Sequence, residues 1–192
     1  MITRRLFLAS SLALIATPVR AASWQEKLVE AAEAQIGRTI HYDPAYVKLT
    51  YPGGDVPEDR GVCTDVVIRA YRKGLSFDLQ KAVHDDMSAR FSAYPKHWGL
   101  KRPDRNIDHR RVPNLQTYLK LKGAKRDTED VRPGDLVTMM LPGNLPHIGI
   151  ASFTLSDDGS RPLLVHNIGG GAQREDVLGR YPVTGHYRFN PG

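Results

Sequence analysis

The chain has 192 residues, 41% hydrophobic and 25% charged, a formal net charge of +6 and a single cysteine. That length suits one domain with a buried core, and the composition excludes a low-complexity chain. One cysteine also excludes any internal disulfide.

The first residues differ from the rest. Thr3-Arg4-Arg5-Leu6-Phe7-Leu8-Ala9 is a basic start that runs into an apolar stretch through Ala16, and Val19-Arg20-Ala21 places small residues where an export peptidase reads. Residues 1–21 are therefore expected to be a cleaved signal peptide, too short for a stable membrane span. The arginine pair followed by Leu-Phe-Leu resembles the twin-arginine export pattern. Of the 27 Lys and Arg residues, Arg4, Arg5 and Arg20 fall in this leader, so 24 basic residues face 21 acidic ones in the remainder. Such a mild balance argues against nucleic-acid binding and suits an anionic envelope substrate. The expected location is periplasmic or secreted, with residues 22–192 as one domain.

Ser23-Trp24-Gln25-Glu26 is a capping-box pattern, and the apolar spacing after it predicts a helix over about 23–36, stopped by Gly37. Ile40 to Pro44 reads as a short extended piece and 51–57 as a loop. Cys63, Val66, Val67, Ala70 and Tyr71 share one face of a predicted helix that Gly74 can end. A second helical pattern covers 78–90, followed by a long ordered loop to Pro113. Asn114 is the expected cap of a short helix over 115–121. The period then changes to that of strands, at 136–140, 147–153, 163–167 and 185–189, with turns at 131–135 and 156–159. Helices first and strands after, with hairpin-length links, predict an α+β fold in which the Cys63 helix packs on an antiparallel sheet.

At the first turn of a helix, unpaired N–H groups and the helix dipole favour a thiolate, so Cys63 is a candidate nucleophile with a lowered pKa. The plainer reading is a small buried hydrophobe. A nucleophile needs a base and the base an orienting group. His147 opens one predicted strand and His166 ends the next. If Phe153 pairs with Pro162, or with a neighbour of the same parity, residue 149 lies opposite 166 and both imidazoles share a face. Should the Cys63 helix pack on that face, sulfur and imidazoles meet. Zinc is the competing use of Cys and His, but no second cysteine and no His-x-x-x-His pair is present. No metal or cofactor is expected.

Asp108-His109-Arg110-Arg111 has two readings. Arginine pairs bind carboxylates bidentately, which suits a substrate clamp; the alternative is an Arg–Asp network that holds the loop. His109 is also a spare histidine for the catalytic site. His84, with Asp85 and Asp86, reads as helix surface, and Asp65 as the structural partner of a basic residue.

The order of helix cysteine, Pro-Gly-Asp-Leu-Val strand, Pro-His-Ile-Gly-Ile strand and Val-His-Asn strand resembles the NlpC/p60 cysteine peptidases of the papain-like group. The motifs at 61–67, 83–87, 107–116, 147–150, 166–169 and 185–188 resemble more closely an uncharacterised bacterial family in that group, the domain of unknown function numbered 1287. The resemblance implies an NlpC/p60-type fold and a triad of Cys63, His147 and His166 that cleaves peptide or amide bonds of cell-wall (peptidoglycan) peptides. The same parts serve acyl transfer, and a non-catalytic wall-binding or scaffold domain is the alternative on this fold. Val62 before the cysteine and Thr64-Asp65 after it depart from the acidic residue and Ser-Gly pair of the NlpC/p60 signature.

Overall fold

The computed structural model describes residues 20–192, so the expected leader lies almost wholly outside the described residues. Helix α1 is Trp24–Glu33. Its capping box is complete: Ser23 Oγ accepts the Glu26 N–H at 3.2 Å, and Glu26 returns by accepting the Ser23 N–H at 2.6 Å. The helix stops at Glu33, short of the predicted 36, and the chain leaves it through Gly37 at φ +77°.

Two short strands, β1 (His41–Tyr42) and β2 (Arg60–Gly61), pair in parallel just before the cysteine. Helix α2 is Cys63–Leu75 and buries Val66, Val67, Ala70 and Tyr71. Gly74 does not end it. A Cβ there would come within 2.5 Å of the Lys27 carbonyl, so this glycine lets α1 lie close against α2. The helix ends instead at Ser76, in the left-handed conformation at φ 53°. Helix α3, Leu79–Ala89, is capped by Asp78, whose carboxylate accepts the Gln80 N–H at 3.1 Å. A 3₁₀ turn follows at Phe91–Ala93 and another lies at Asp108–Arg110. Helix α4 is Val112–Leu121, beginning earlier than predicted because Pro113 suits its first turn. Asn114 is therefore inside the helix, and its side-chain amide donates to the Asp108 carbonyl at 3.0 Å.

The five remaining strands, β3 (Leu136–Leu141), β4 (Leu145–Leu155), β5 (Pro162–Asn167), β6 (Ala172–Glu175) and β7 (Val183–Tyr187), form one antiparallel sheet in the order β6-β5-β4-β3-β7. The predicted last strand is displaced by two residues, and β6 was not expected. Leu136, Ile148, Ile150 and Val165 pack with Leu28, Val66, Val67 and Tyr71 of the helices. Residues of the other parity, Val137, Met139, Ala151 and Leu164, form a separate cluster with Val177. The architecture is α+β, with the N-terminal helices laid on one face of the sheet.

Candidate active site

Cys63 is the first residue of α2 and 5% exposed. The turn into it is tied on several sides. Asp65 accepts the Val62 N–H at 2.7 Å, closing the helix start. Gly61 holds φ +153°, and a Cβ on it would lie 2.9 Å from the Asp65 side chain, so glycine is required. The Asn167 side-chain amide donates to the Gly61 carbonyl at 2.9 Å, joining the end of β5 to the residue two before the cysteine. The backbone N–H of Ile148, in β4, is one of the backbone groups that act on the sulfur to favour its thiolate.

The thiol is not activated as the sequence predicts. Burial pushes its pKa up to about 12, with the Asp65 carboxylate adding to the rise, although the Ile148 N–H and the helix-start amides act the other way. Desolvation of a thiolate outweighs a few partial charges at a helix end. The resting group is a neutral thiol.

The two histidines do meet. His147 Nε2 lies 2.9 Å from His166 Nδ1, with ring centroids 4.9 Å apart and the planes at 81°. Ile150 pairs with Val165 and Ala151 with Leu164, the register that sets 149 opposite 166. The Phe153–Pro162 pair does not form, because an irregularity after Ala151 brings Pro162 opposite Leu155. Burial lowers the pKa of His147 to about 3 and of His166 to about 4, with the neighbouring ring and Arg180 respectively reinforcing the shift. Both rings are neutral at rest.

The route from sulfur to imidazoles differs from the expected one. His147 lies opposite Met139, which belongs to the far-face cluster, whereas α2 packs on the face of Ile148 and Ile150. The body of α2 therefore covers the face opposite the imidazoles, and the cysteine approaches the sheet at its end, at the peptide that follows His147. Among the described residues, the thiol shares no hydrogen bond with an imidazole.

The 108–111 motif turns mostly inward. Asp108 is fully buried, accepts the Asp104 N–H at 2.6 Å, and is pushed up to about 6 by burial. His109 is 2% exposed and lowered to about 3, again by burial. Arg110 makes a bidentate pair with Asp65, at 2.9 and 3.0 Å, and donates to the carbonyls of Ala45 and Asp43. This is the loop-holding network, and it gives Asp65 the basic partner expected of it. Arg111 is different. Its guanidinium lies 4.0 Å over the Trp98 ring, its Nη1 is buried without a partner, and it lines a cavity of about 200 Å³ together with Cys63, Tyr42 and Trp98.

Three contributors escaped the sequence reading. Glu175 Oε2 comes to 3.3 Å from His166 Nε2, out of line for a hydrogen bond; it sits on the unexpected β6, opposite Leu164. Asn167 and Trp98 sit in recognisable places, but nothing in their spacing marks them as parts of a site.

These features define an α+β protein with a cysteine at a helix start, set against the end of an antiparallel sheet that carries a bonded histidine pair. The chain belongs to the family described as Domain of unknown function (DUF1287), whose pattern matches residues 29–189. It is 54% identical over 166 residues, 84% of this chain and 80% of the relative, to the "Uncharacterized protein YijF" of Escherichia coli (strain K12). Among solved structures it is similar to NlpC1 from Trichomonas vaginalis, with a TM-score of 0.45 and 14% identity, covering 90% of this chain and 46% of that one.

Proposed function

We propose that the protein is an exported cysteine hydrolase that cleaves peptide or amide bonds in peptidoglycan peptides, with residues 1–21 as the export leader and 22–192 as the working domain. The observation that carries this reading is the His147–His166 hydrogen bond, on the strand whose next residue, Ile148, lies in the core cluster that also holds Cys63. Among the described residues no helix is long and apolar enough to cross a membrane.

Proton bookkeeping assigns the roles. Among the described residues the carboxylate beside His166 Nε2 is Glu175, at 3.3 Å, and its charge favours the proton on that nitrogen. His166 Nδ1 then accepts from His147 Nε2, which leaves the lone pair on His147 Nδ1. His147 Nδ1 takes the thiol proton as the sulfur attacks the substrate carbonyl carbon, and returns it to the leaving amine when the C–N bond breaks. A water then attacks the thioester through the same base, releasing the acid and restoring the thiol. Because thiol and imidazoles rest neutral, proton transfer accompanies attack and no thiolate is stored beforehand. The Cys63 N–H is the assigned donor to the oxyanion. An amine or alcohol in place of water makes the same chemistry an acyl transfer.

A non-catalytic wall-binding domain is the second reading, favoured by the burial of the thiol and the packing of α2 on the face opposite the imidazoles. One experiment separates them. Purified peptidoglycan is incubated with the wild type, Cys63→Ala and His147→Gln, and the released peptides are read by mass spectrometry. Hydrolysis predicts products from the wild type alone, with each variant down by at least about a thousandfold. Identical products from wild type and Cys63→Ala would end the catalytic reading.

A further inference from the structure

A second cavity, of about 680 Å³, adjoins the one at Cys63: both are walled by Trp98, Pro113 and Pro146. Those three residues form a shared ridge with the small cavity on one side and the large one on the other. The charged residues on both walls are of one sign. Arg110 and Arg111 line the small cavity, Lys120, Lys125 and His97 the large one, and neither contains an aspartate or glutamate. Arg110 is consumed by Asp65, and Lys125 pairs with Asp127. Arg111 lines the small cavity with its Nη1 buried and unpartnered, while Lys120 supplies a cation on the wall of the large one.

An unpaired buried guanidinium nitrogen is costly to leave unsatisfied, and the ligand that best satisfies it is a carboxylate. The indole of Trp98, 40% exposed between the two cavities, offers an apolar platform for the chain between two charges, with His97 edge-on to it at 5.6 Å. We propose that the two cavities form one binding groove for an extended acidic peptide, with one carboxylate at Arg111 beside Cys63 and a second toward Lys120 beyond the ridge. This inference rests on the hydrolase reading for its biological use, but the groove binds whether or not the thiol reacts.

The test is calorimetric titration of the Cys63→Ala protein with the synthetic pentapeptide L-Ala-γ-D-Glu-L-Lys-D-Ala-D-Ala and with its counterpart amidated at both carboxylates. The acidic peptide is expected to bind at least about tenfold more tightly than the amide. Adding Arg111→Gln weakens the acidic peptide about tenfold and Lys120→Gln about threefold, and neither changes the binding of the amide. Lys120 lies on the outer side of α4, so its variant keeps the test alive should Arg111→Gln fail to fold. Equal affinity for acid and amide overturns the proposal. An effect of Arg111 without one of Lys120 overturns the two-cavity groove. Selective acid binding by a protein whose wild type cleaves nothing leaves the groove standing and removes the hydrolase; cleavage without acid preference does the reverse.

Discussion

The 108–111 turn and the β4–β5 strand pair are both rich in histidine and charge, yet they use their polar groups in opposite ways. At the turn, Asp108, His109 and Arg110 point into the protein, and Arg110 satisfies Asp65 and two carbonyls at once. On the strands, His147 and His166 bind each other, and the outer nitrogen of His166 faces a carboxylate without a settled hydrogen bond. At the turn it is Arg110 that is closed, every strong interaction of its guanidinium ending on the protein, while Asp108 Oδ1, His109 Nδ1 and Arg111 Nη1 are buried without a partner. On the strands the spare atom belongs to a ring already bonded to a second imidazole. A cluster can do chemistry only where its hydrogen bonds are incomplete, and a polar motif alone does not tell which kind it is.

The largest expected effect separates these two behaviours. Arg110→Met leaves Asp65 charged and unpaired beside the helix start, and should cost about 3–5 kcal/mol in urea unfolding. The double variant Asp65→Leu/Arg110→Met should recover part of that loss, because the orphaned charge goes with its partner. If Arg110→Met unfolds at the wild-type denaturant concentration, the turn is not the structural clamp described.

Acid should tax both regions together. His109, His147 and His166 have folded pKa values of about 3, 3 and 4, below the unfolded value. Their contribution is present above the unfolded pKa, about 6.5, and is lost as pH falls through the folded values. Between pH 7 and pH 5 each removes on the order of 2 kcal/mol. Asp108, raised to about 6, works the other way and returns about 1 kcal/mol over the same interval. The melting temperature should therefore fall by roughly ten degrees or more from pH 7 to pH 5, and an unchanged or higher value at pH 5 would contradict the neutral buried histidines.

The smallest effect sharpens the open arrangement. Glu175→Ala should lower turnover about tenfold with KM unchanged, and Glu175→Gln, still an acceptor at its carbonyl oxygen, should keep most of the activity. Nitrogen-15 shifts of the two rings provide the direct readout. The proton belongs on Nε2 of both histidines in the wild type, and finding it on His147 Nδ1 would remove the base.

Much of the molecule is legible in its residues. The capping box at Ser23, the apolar face of α2 and the strand alternation each follow from local rules, and the 149–166 register brings the two histidines together as parity requires. Four errors have tertiary causes. Gly74 reads as a helix stop but is a contact with α1, visible only once Lys27 is beside it. The short β6 pairs along an edge and lacks the apolar alternation that marks a strand. The thiol's pKa follows from burial, which the position of Cys63 at a helix start does not reveal. The side of the sheet that α2 covers depends on packing among distant segments, and so the approach of the cysteine through the strand end was not foreseeable.

The bond from Asn167 to the Gly61 carbonyl spans 106 residues of sequence, and the Arg110–Asp65 pair spans 45. Contacts of such range pay their loop-closure entropy before they return anything, so they form late in folding. A chain still emerging from synthesis, or one truncated before β5, has its cysteine but lacks the strand that anchors the turn in front of it. The same dependence acts as a safeguard: the turn in front of the cysteine is anchored only when the first and last thirds of the chain have both been built.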